Sequence, residues 1–444
     1  MNFAAGEMIS PPEEDWERKA IRCTPSPQDL SILFRGSLRS CKLIVPSIVK
    51  TLKCCRTQCW HRGATLPSST FLIWIPRSTM TFQQRRSRRT IIKDTLAGVS
   101  SVVAGTVLSR SSLWADQNAA NTQADPKIRG PFPILSTPFT ESGEVDYNVL
   151  AQEAKFVAWG GCPGMIWPQS GDSVDLLTMD EKMKGMEVLA KTARSLPTSL
   201  CLGVQGNDTE EMLAFAEHAE KLEPEAIISR PPDSGKSEQD LRQYWSALAA
   251  VAKRPVILQT TGGVAYKGPL PSPELMIELA KEFPHFGYIK EEAGDVLGRM
   301  RTSIAAMPPV RRVFSARGGF HWLRESQLGS EGVITERAAY ADVLTRIWEL
   351  QQSGEDPNTL EDVFNKFVQM VKVKPGSLRG ANLSIWMKRG VFKNMLSRNY
   401  GPGRSIPASP IVSELKLTDE QIAAAEMRFD ALRPYLKEVT PDLS

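Results

Sequence analysis

The spacing of short apolar runs constrains this chain more than any other feature of its sequence. Between residues 133 and 335, apolar runs of strand length alternate with amphipathic segments of helix length. The runs predict eight strands: Pro133–Thr137, Met165–Trp167, Leu200–Val204, Ala226–Ser229, Val256–Gln259, Gly287–Lys290, Arg312–Ser315 and Gly332–Thr335. The clearest predicted helices are Asp146–Trp159, Met179–Ser195, Thr209–Leu222 and Glu238–Ala252.

Eight strand–helix units in about 220 residues are typical of a (β/α)8 barrel. We therefore predict an α/β fold, a TIM barrel over residues 126–352, extended by C-terminal helices over residues 353–444. A doubly wound open sheet is the alternative, but it would require a glycine-rich phosphate-binding turn after the first strand, where Ser136-Thr137-Pro138-Phe139 stands. Three amphipathic segments predict the C-terminal helices: Val363–Val373, Asn382–Leu396 and Thr418–Leu436.

The basic charge of the chain is concentrated before the barrel. Residues 1–125 carry 17 Lys and Arg against 9 Asp and Glu, whereas the remainder carries 37 against 41. The predicted globular part is therefore mildly acidic, and we expect no nucleic-acid partner. Its two cysteines, Cys162 and Cys201, form no disulfide framework, and its His, Asp and Glu residues lack metal-ligand spacing. We predict no metal and no cofactor.

Residues 80–125 are predicted to be a signal peptide and linker. Ser87-Arg88-Arg89-Thr90-Ile91-Ile92-Lys93 resembles the bacterial twin-arginine signal and precedes a modest apolar stretch, Leu96–Leu108. That stretch is too short and too polar for a membrane span. The resemblance implies a periplasmic or otherwise exported bacterial protein that meets the twin-arginine export machinery and has no membrane association after processing. An ordinary basic tail is the alternative.

Residues 1–79 fit no pattern, and we interpret them as a mis-called or disordered extension. They hold five of the seven cysteines, with no sustained periodicity and no second cysteine pair at ligand spacing. Met80 stands just before the twin-arginine segment, where a signal peptide should begin. The expectation is that translation starts there.

Lys290 is the first candidate for chemistry. The sixth predicted strand ends on this lysine, and Glu291, Gly294 and Asp295 follow before a new helical pattern. Burial disfavours the charged form of a lysine, and a neutral amine is a nucleophile toward carbonyl carbon. This is the requirement of Schiff-base chemistry. An isolated lysine at a strand end would ordinarily reach solvent, so the other strand ends decide between the two interpretations.

Those ends form an ordered set. The second strand ends Pro168-Gln169-Ser170-Gly171-Asp172, the sixth ends on Lys290, and the eighth includes Ile334. From about Pro131 to Leu436 the chain resembles the dihydrodipicolinate synthase / N-acetylneuraminate lyase family, the class I pyruvate-dependent aldolases. The resemblance implies a (β/α)8 barrel with three C-terminal helices, usually a homotetramer, whose lysine forms a Schiff base with pyruvate or another 2-oxo acid.

Individual roles follow from that resemblance by position. Lys290 matches the Schiff-base lysine. Gln169, Ser170 and Gly171 match the loop that binds the carboxylate of the keto acid, and Ile334 matches the residue whose backbone lines the pyruvate pocket.

The chain departs from the family at the fifth strand. Gln259 stands where the family has a tyrosine that shuttles protons. An amide orients a hydroxyl or a water but is no acid or base near neutral pH, and losing such catalysis typically costs about 10²–10⁴-fold in rate. Asp172, Thr260, a water or Tyr266 are candidates to replace the tyrosine. The substrate-carboxylate arginine of the lysine-biosynthesis enzymes has no match here, which disfavours their reaction.

Two hypotheses follow. The first is a Schiff-base-forming lyase acting on a 2-oxo acid or sugar acid, in which Lys290 and Gln259 are catalytic and Thr260 joins the strand-2 loop in binding substrate. The second is a degenerate barrel that binds a keto or sugar acid without efficient turnover. Lys290 favours the first and Gln259 the second. In either case we expect a homo-oligomer, a tetramer or a dimer.

Overall fold

The computed structural model describes residues 125–372, 378–408, 411–438, 441 and 443. The predictions for residues 1–79 and for the twin-arginine segment lie outside the described residues.

Eight parallel strands form a closed ring. Strands β2 to β7 are hydrogen-bonded in chain order as one sheet, and β1 pairs with β8, with Phe132 opposite Ile334. Parallel bridges from Ile134 to Ile166 and from Ser315 to Val333 join the two parts. The strands are β1 Gly130–Pro133, β2 Gly164–Trp167, β3 Ser199–Gly203, β4 Ala226–Ser229, β5 Val256–Gln259, β6 Tyr288–Lys290, β7 Arg312–Phe314 and β8 Gly332–Thr335. The predicted (β/α)8 barrel is confirmed.

Helices surround the ring: α1 Tyr147–Gly160, α2 Met179–Ala193, α3 Thr209–Leu222, α4 Glu238–Val251, α5 Pro273–Glu282, α6 Val296–Ala305, α7 Trp322–Ser326 and α8 Ala341–Ser353. Side-chain caps fix several starts. Thr178 and Ser237 each form a capping box with the acidic residue three positions on, at the first turns of α2 and α4. No helix among the described residues combines the length and apolarity that crossing a bilayer requires.

The strands divide their side chains between two apolar clusters. In β4, Ile228 belongs to the cluster inside the ring, whereas Ile227 packs toward the helices. Inside the ring, Phe132 packs edge-on against Phe314 at 5.9 Å between ring centroids. Gly164 makes room for it, since a Cβ at that position would lie 2.1 Å from the Phe132 ring.

The first strand lies three residues earlier than predicted, at Gly130–Pro133 instead of Pro133–Thr137. Ile134 and Leu135 are buried and keep single backbone bonds to the neighbouring strands, but the regular ladder ends before them. The apolar run in the sequence therefore reflects burial, which continues past the C-terminal end of β1.

The C-terminal part contains α9 Pro357–Lys372, α10 Leu378–Lys388 and α11 Asp419–Asp430, together with an antiparallel hairpin of β9 Leu396–Asn399 and β10 Ile411–Glu414. The prediction of one helix over Asn382–Leu396 was wrong in its second half. The helix ends at Lys388, and Gly390 follows in the left-handed region with φ +72°.

The hairpin lies over the carboxyl ends of the first two strands. Arg398 of β9 donates to the carbonyl oxygens of Leu176 at 2.9 Å and Gly143 at 2.8 Å. It also binds both carboxylate oxygens of Glu181 and lies over the Phe139 ring. Burial alone would raise the pKa of Glu181, but the hydrogen bonds from Arg398 and Thr178 hold that pKa below its usual range. The C-terminal part thereby builds one side of the barrel mouth.

Candidate active site

Lys290 lies inside the barrel at the carboxyl end of β6. Tyr288 belongs to the interior cluster, and a residue two positions on in a strand faces the same side. The side chain of Lys290 is only 3% exposed. Its strand partners are Gln259 on β5 and Phe314 on β7. The strand order thus brings the two predicted catalytic residues together.

Two groups contact the Lys290 amine. Nζ donates to Gln259 Oε1 at 3.1 Å and lies 3.5 Å from Glu292 Oε1. The Gln259 amide is itself oriented, because its Nε2 donates to the Thr261 carbonyl oxygen at 2.9 Å. The Thr261 hydroxyl in turn donates to Glu292. The amine is therefore held between a fixed amide and a fixed carboxylate.

Thr260 faces the outer side of the ring, away from the amine. Its hydroxyl donates to Glu291 Oε1 at 2.8 Å and accepts from the Glu292 backbone N–H at 2.9 Å. Glu291 also binds Arg299 at 3.0 Å. The role of substrate contact predicted for Thr260 does not fit this position, since alternation with the inward Gln259 turns it outward. Its contacts instead fix the backbone around Lys290.

The strand-2 loop presents a hydroxyl and an amide. Ser170 Oγ accepts from Arg230 Nη1 at 2.8 Å, so its own proton remains to be donated. Gln169 Oε1 accepts from the Ser170 backbone N–H at 2.6 Å, and the buried Gln169 Nε2 has no hydrogen-bond partner among the described residues. Gly171 has φ +99°, a conformation that favours glycine. These three residues form a turn in which the Ser170 hydroxyl proton and one amide N–H of Gln169 have no acceptor among the described residues.

Arg230, at the end of β4, was not predicted as a site residue. Its buried guanidinium pairs with Asp175 in addition to Ser170, and it packs against the backbone at Gly263. Asp175 also accepts from the Val264 N–H at 3.3 Å. Arg230 therefore ties the strand-2 loop to the loop after β5. An arginine directly at a barrel strand end was the available signal in the sequence.

Asp172 is held by ion pairing. One carboxylate oxygen binds Arg379 of α10, and the other accepts from the backbone N–H of Thr137 at 2.9 Å and from its hydroxyl. Arg379 also donates to the Thr137 carbonyl oxygen at 2.7 Å. Both oxygens of Asp172 are engaged, so this residue does not fit the role of a proton carrier for Lys290.

Among the described residues, neither of two tyrosines near the mouth forms a hydrogen bond with the amine. The Tyr266 hydroxyl donates to the Pro269 carbonyl, and burial, followed by the charge of Asp240, raises the pKa of Tyr266 to about 12. Burial likewise raises the pKa of Tyr400, which follows β9, to about 12, and the largest of the charges acting on it is that of Asp175.

Below that side lies a buried acid, Glu153 of α1. Its Oε1 accepts from the Ser136 N–H at 2.7 Å, and Oε2 has no partner among the described residues. Burial raises the pKa of Glu153 well above its usual range, and the nearby Asp172 acts in the same direction.

Ile334 is buried in the interior cluster with its backbone N–H bonded to the Ser315 carbonyl oxygen at 2.8 Å, so it forms part of the apolar interior below the site. Within the described ranges no group of three His, Cys, Asp or Glu residues is arranged to hold a metal ion.

Comparison with known proteins identifies the family to which this barrel belongs. The model of the dihydrodipicolinate synthetase family matches residues 127–376. The chain belongs to this family. Its members are class I pyruvate-dependent lyases, and this chain is a lyase of the class I aldolase type. The family predicted from the sequence is confirmed.

Individual relatives are distant. A probable 2-dehydro-3-deoxy-D-pentonate aldolase from Escherichia coli (strain K12) is 27% identical over 222 residues, 49% of this chain and 72% of the relative. A 4-hydroxy-tetrahydrodipicolinate synthase from Parabacteroides distasonis is 25% identical over 298 residues, 66% of this chain and 98% of the relative. Among solved structures, a prophage protein of the same family from Escherichia coli K12, in complex with pyruvate, superposes with a TM-score of 0.57. It is 19% identical and covers 68% of this chain and 98% of that one, which concerns the fold alone.

Proposed function

We propose that this protein cleaves or dehydrates a 2-oxo acid, such as a 2-oxo sugar acid, through a Schiff base on Lys290. The observation that carries the proposal is the buried amine at the carboxyl end of β6, 3.1 Å from Gln259 Oε1 and 3.5 Å from Glu292 Oε1. Catalytic groups of barrel enzymes lie at this end of the strands. A buried amine beside polar groups, at the end of an apolar interior, is suited to carbonyl addition.

The reaction begins when the neutral amine adds to the keto carbon. A C–N bond forms, the former keto oxygen leaves as water, and a protonated imine remains. In the cleavage direction, the hydroxyl on the second carbon beyond the imine carbon gives up its proton to a base and its C–O bond becomes a carbonyl. The bond between the first and second carbons beyond the imine carbon breaks, and its electron pair moves toward the imine nitrogen. An aldehyde leaves, the resulting enamine takes up a proton on carbon, and hydrolysis returns the lysine and a shorter 2-oxo acid.

The substrate carboxylate is assigned to the strand-2 loop. The Ser170 hydroxyl proton and the buried Gln169 Nε2 are the two donors there. A buried donor without a partner costs about 1–3 kcal/mol, and a bound carboxylate would remove that cost. The Ser170 backbone N–H already donates to the Gln169 side-chain oxygen, so it is not available to the substrate. We therefore assign carboxylate binding to the side chains of Ser170 and Gln169.

The substrate class is supported in two ways. The Escherichia coli relative is named as an aldolase of a 2-dehydro-3-deoxy-D-pentonate, and the prophage protein was solved with pyruvate. Against the lysine-biosynthesis reaction, the stretch Val264–Tyr266 contains no arginine, and Tyr266 is bonded to Pro269. A cleavable 2-oxo-3-deoxy sugar acid is therefore the preferred substrate.

Pyruvate release tests this function. A set of 2-oxo-3-deoxy sugar acids of five to seven carbons is incubated with the protein, and pyruvate is measured enzymatically. We expect release from at least one of them, and none from a Lys290→Ala variant that still folds. Equal release by that variant would exclude the lysine mechanism.

We propose further that residues 80–125 direct export to the periplasm. The support is the paired Arg88-Arg89 before the apolar stretch Leu96–Leu108. A reporter fused after residue 125 should reach the periplasm of a bacterial host. Arg88→Lys with Arg89→Lys, which keeps the charge, should retain it in the cytoplasm, and unchanged export would contradict the assignment.

The proposed assembly is a homo-oligomer, a tetramer or a dimer, as is typical of the family. Light scattering on the purified barrel at several concentrations measures it directly, and a mass of one chain at all concentrations would contradict it.

A further inference from the structure

Imine formation on Lys290 needs a group that moves protons, and Gln259 is not one. The other candidates are engaged elsewhere. Asp172 is bound to Arg379 and Thr137, the Thr260 hydroxyl is shared by Glu291 and the backbone of Glu292, and the Tyr266 hydroxyl is bonded to Pro269.

Glu292 has the geometry that these residues lack. Its Oε1 is 3.5 Å from Lys290 Nζ, and its side chain is 15% exposed, so it connects the buried amine with the barrel mouth. The Thr261 hydroxyl donates to Oε1, and no donor among the described residues binds Oε2. One oxygen is thus oriented toward the amine while the other is open to a substrate or a water.

The backbone of Glu292 is fixed on both sides. Its N–H donates to Thr260 Oγ1 at 2.9 Å, and its carbonyl oxygen accepts from Arg317 Nε at 2.8 Å. A carboxylate held by backbone and side-chain bonds reaches the same atom repeatedly, as proton transfer requires.

We propose that Glu292 is the acid–base catalyst of imine formation, in the role for which Gln259 is chemically unsuited. This inference rests on the proposed Schiff-base function. Gln259 is then a positioning residue that holds the amine and, through Thr261, the carboxylate.

The proton transfers balance. The Glu292 carboxylate takes one proton from the Lys290 ammonium, and the neutral amine adds to the keto carbon with formation of a C–N bond. A second proton passes from nitrogen to the former keto oxygen. Glu292 then returns its proton to that oxygen, the C–O bond breaks, and one water leaves. The products are a protonated imine and a Glu292 carboxylate, ready for the reverse sequence in hydrolysis.

The test is the rate at which the reduced pyruvate adduct accumulates under excess borohydride, measured by intact mass. Glu292→Gln keeps the size and the acceptor for Thr261 but removes the carboxylate, so we expect adduct formation to slow by about 10²–10⁴-fold. The matched control is Asp295→Asn, which removes one negative charge from the same loop. Asparagine caps a helix as well as aspartate does, so α6 keeps its cap and the rate should stay at the wild-type value.

A second variant separates chemistry from structure. In Glu292→Ala, added formate should accelerate adduct formation in proportion to its concentration, because a small carboxylate can occupy the vacated space. A rate for Glu292→Gln within about threefold of wild type would overturn the inference, as would no acceleration of Glu292→Ala by formate. If the wild-type protein itself forms no adduct with any 2-oxo acid, the proposed function fails and this inference falls with it.

Discussion

On the β5–β6 side of the barrel mouth, Lys290 Nζ lies 3.1 Å from an uncharged amide oxygen and 3.5 Å from one carboxylate oxygen. On the β1–β2 side, Asp172 is paired with Arg379 and bonded twice to Thr137. The charged groups of the first side can still form further hydrogen bonds. Those of the second side are paired with one another and join separate segments of the chain.

The difference follows from where the partners originate. The groups around Lys290 come from β5, β6 and the residues directly after them. On the opposite side, Arg230 follows β4, but two further cations come from the C-terminal part, Arg379 from α10 and Arg398 from β9. We infer that the C-terminal part completes the mouth structurally, whereas the chemistry belongs to the barrel strands.

The largest effect is expected on the β1–β2 side, where a substitution at Arg379 should lower the free energy of unfolding. Arg379→Met leaves Asp172, with a side chain only 5% exposed, as a buried charge without its cation. Removing one partner of a buried pair typically costs about 3–5 kcal/mol, measured here by denaturant unfolding. The double variant Arg379→Met with Asp172→Asn should recover much of that loss, and a double variant as unstable as the single one would show that the pair is not the cause.

A smaller effect is expected at Gln259, on the reactive side. Gln259→Leu removes the acceptor at 3.1 Å from Lys290 Nζ and the orientation of Thr261. A hydrogen bond to a charged group contributes roughly 1.5–3 kcal/mol, so adduct formation should slow by about 10–100-fold. The free energy of unfolding should fall by about 1–3 kcal/mol, less than for Arg379→Met, because a buried donor loses its acceptor. A larger loss than that of Glu292→Gln would assign the main role to Gln259 instead.

The smallest effect is expected in the pH dependence of the melting temperature, through the buried acid Glu153. Because burial raises the pKa of Glu153, the folded protein binds a proton that the unfolded chain releases above the usual carboxyl pKa. Stability therefore falls as pH rises above that value. Glu153→Gln keeps the acceptor for Ser136 and removes the titration, so its melting temperature should exceed that of wild type more at pH 8 than at pH 5. An equal difference at both pH values would contradict the raised pKa.

Much of the reactive side could be predicted from the sequence, because neighbouring strands bring their ends together. Gln259 and Lys290 each end an apolar run, and consecutive strands of a barrel are adjacent, which made their contact predictable. Strict alternation would also have placed Thr260 outward. The role of Glu292 depends on a side-chain direction after the strand, which no periodicity encodes.

The opposite side could not be predicted in the same way. Arg379 lies 207 residues after Asp172, and Arg398 lies 217 residues after Glu181. Such pairs leave no local pattern, and the hairpin that carries Arg398 has strands of four residues each, too short to show a period. The apolar run after Pro133 led to a predicted first strand that begins three residues too late in the chain. The reason is related, because burial and strand pairing coincide only in part.

The central claim is that Lys290 is a Schiff-base nucleophile, and intact mass after borohydride reduction with pyruvate tests it most directly. The measurement is made on the purified protein beside Lys290→Arg, which keeps a cation next to Glu292. The predicted result is a gain of one reduced pyruvate, located on the peptide containing Lys290 and missing from the variant. No gain with pyruvate or with longer 2-oxo acids, or an equal gain in the variant, would contradict the account and indicate a barrel that binds its acid without forming the imine.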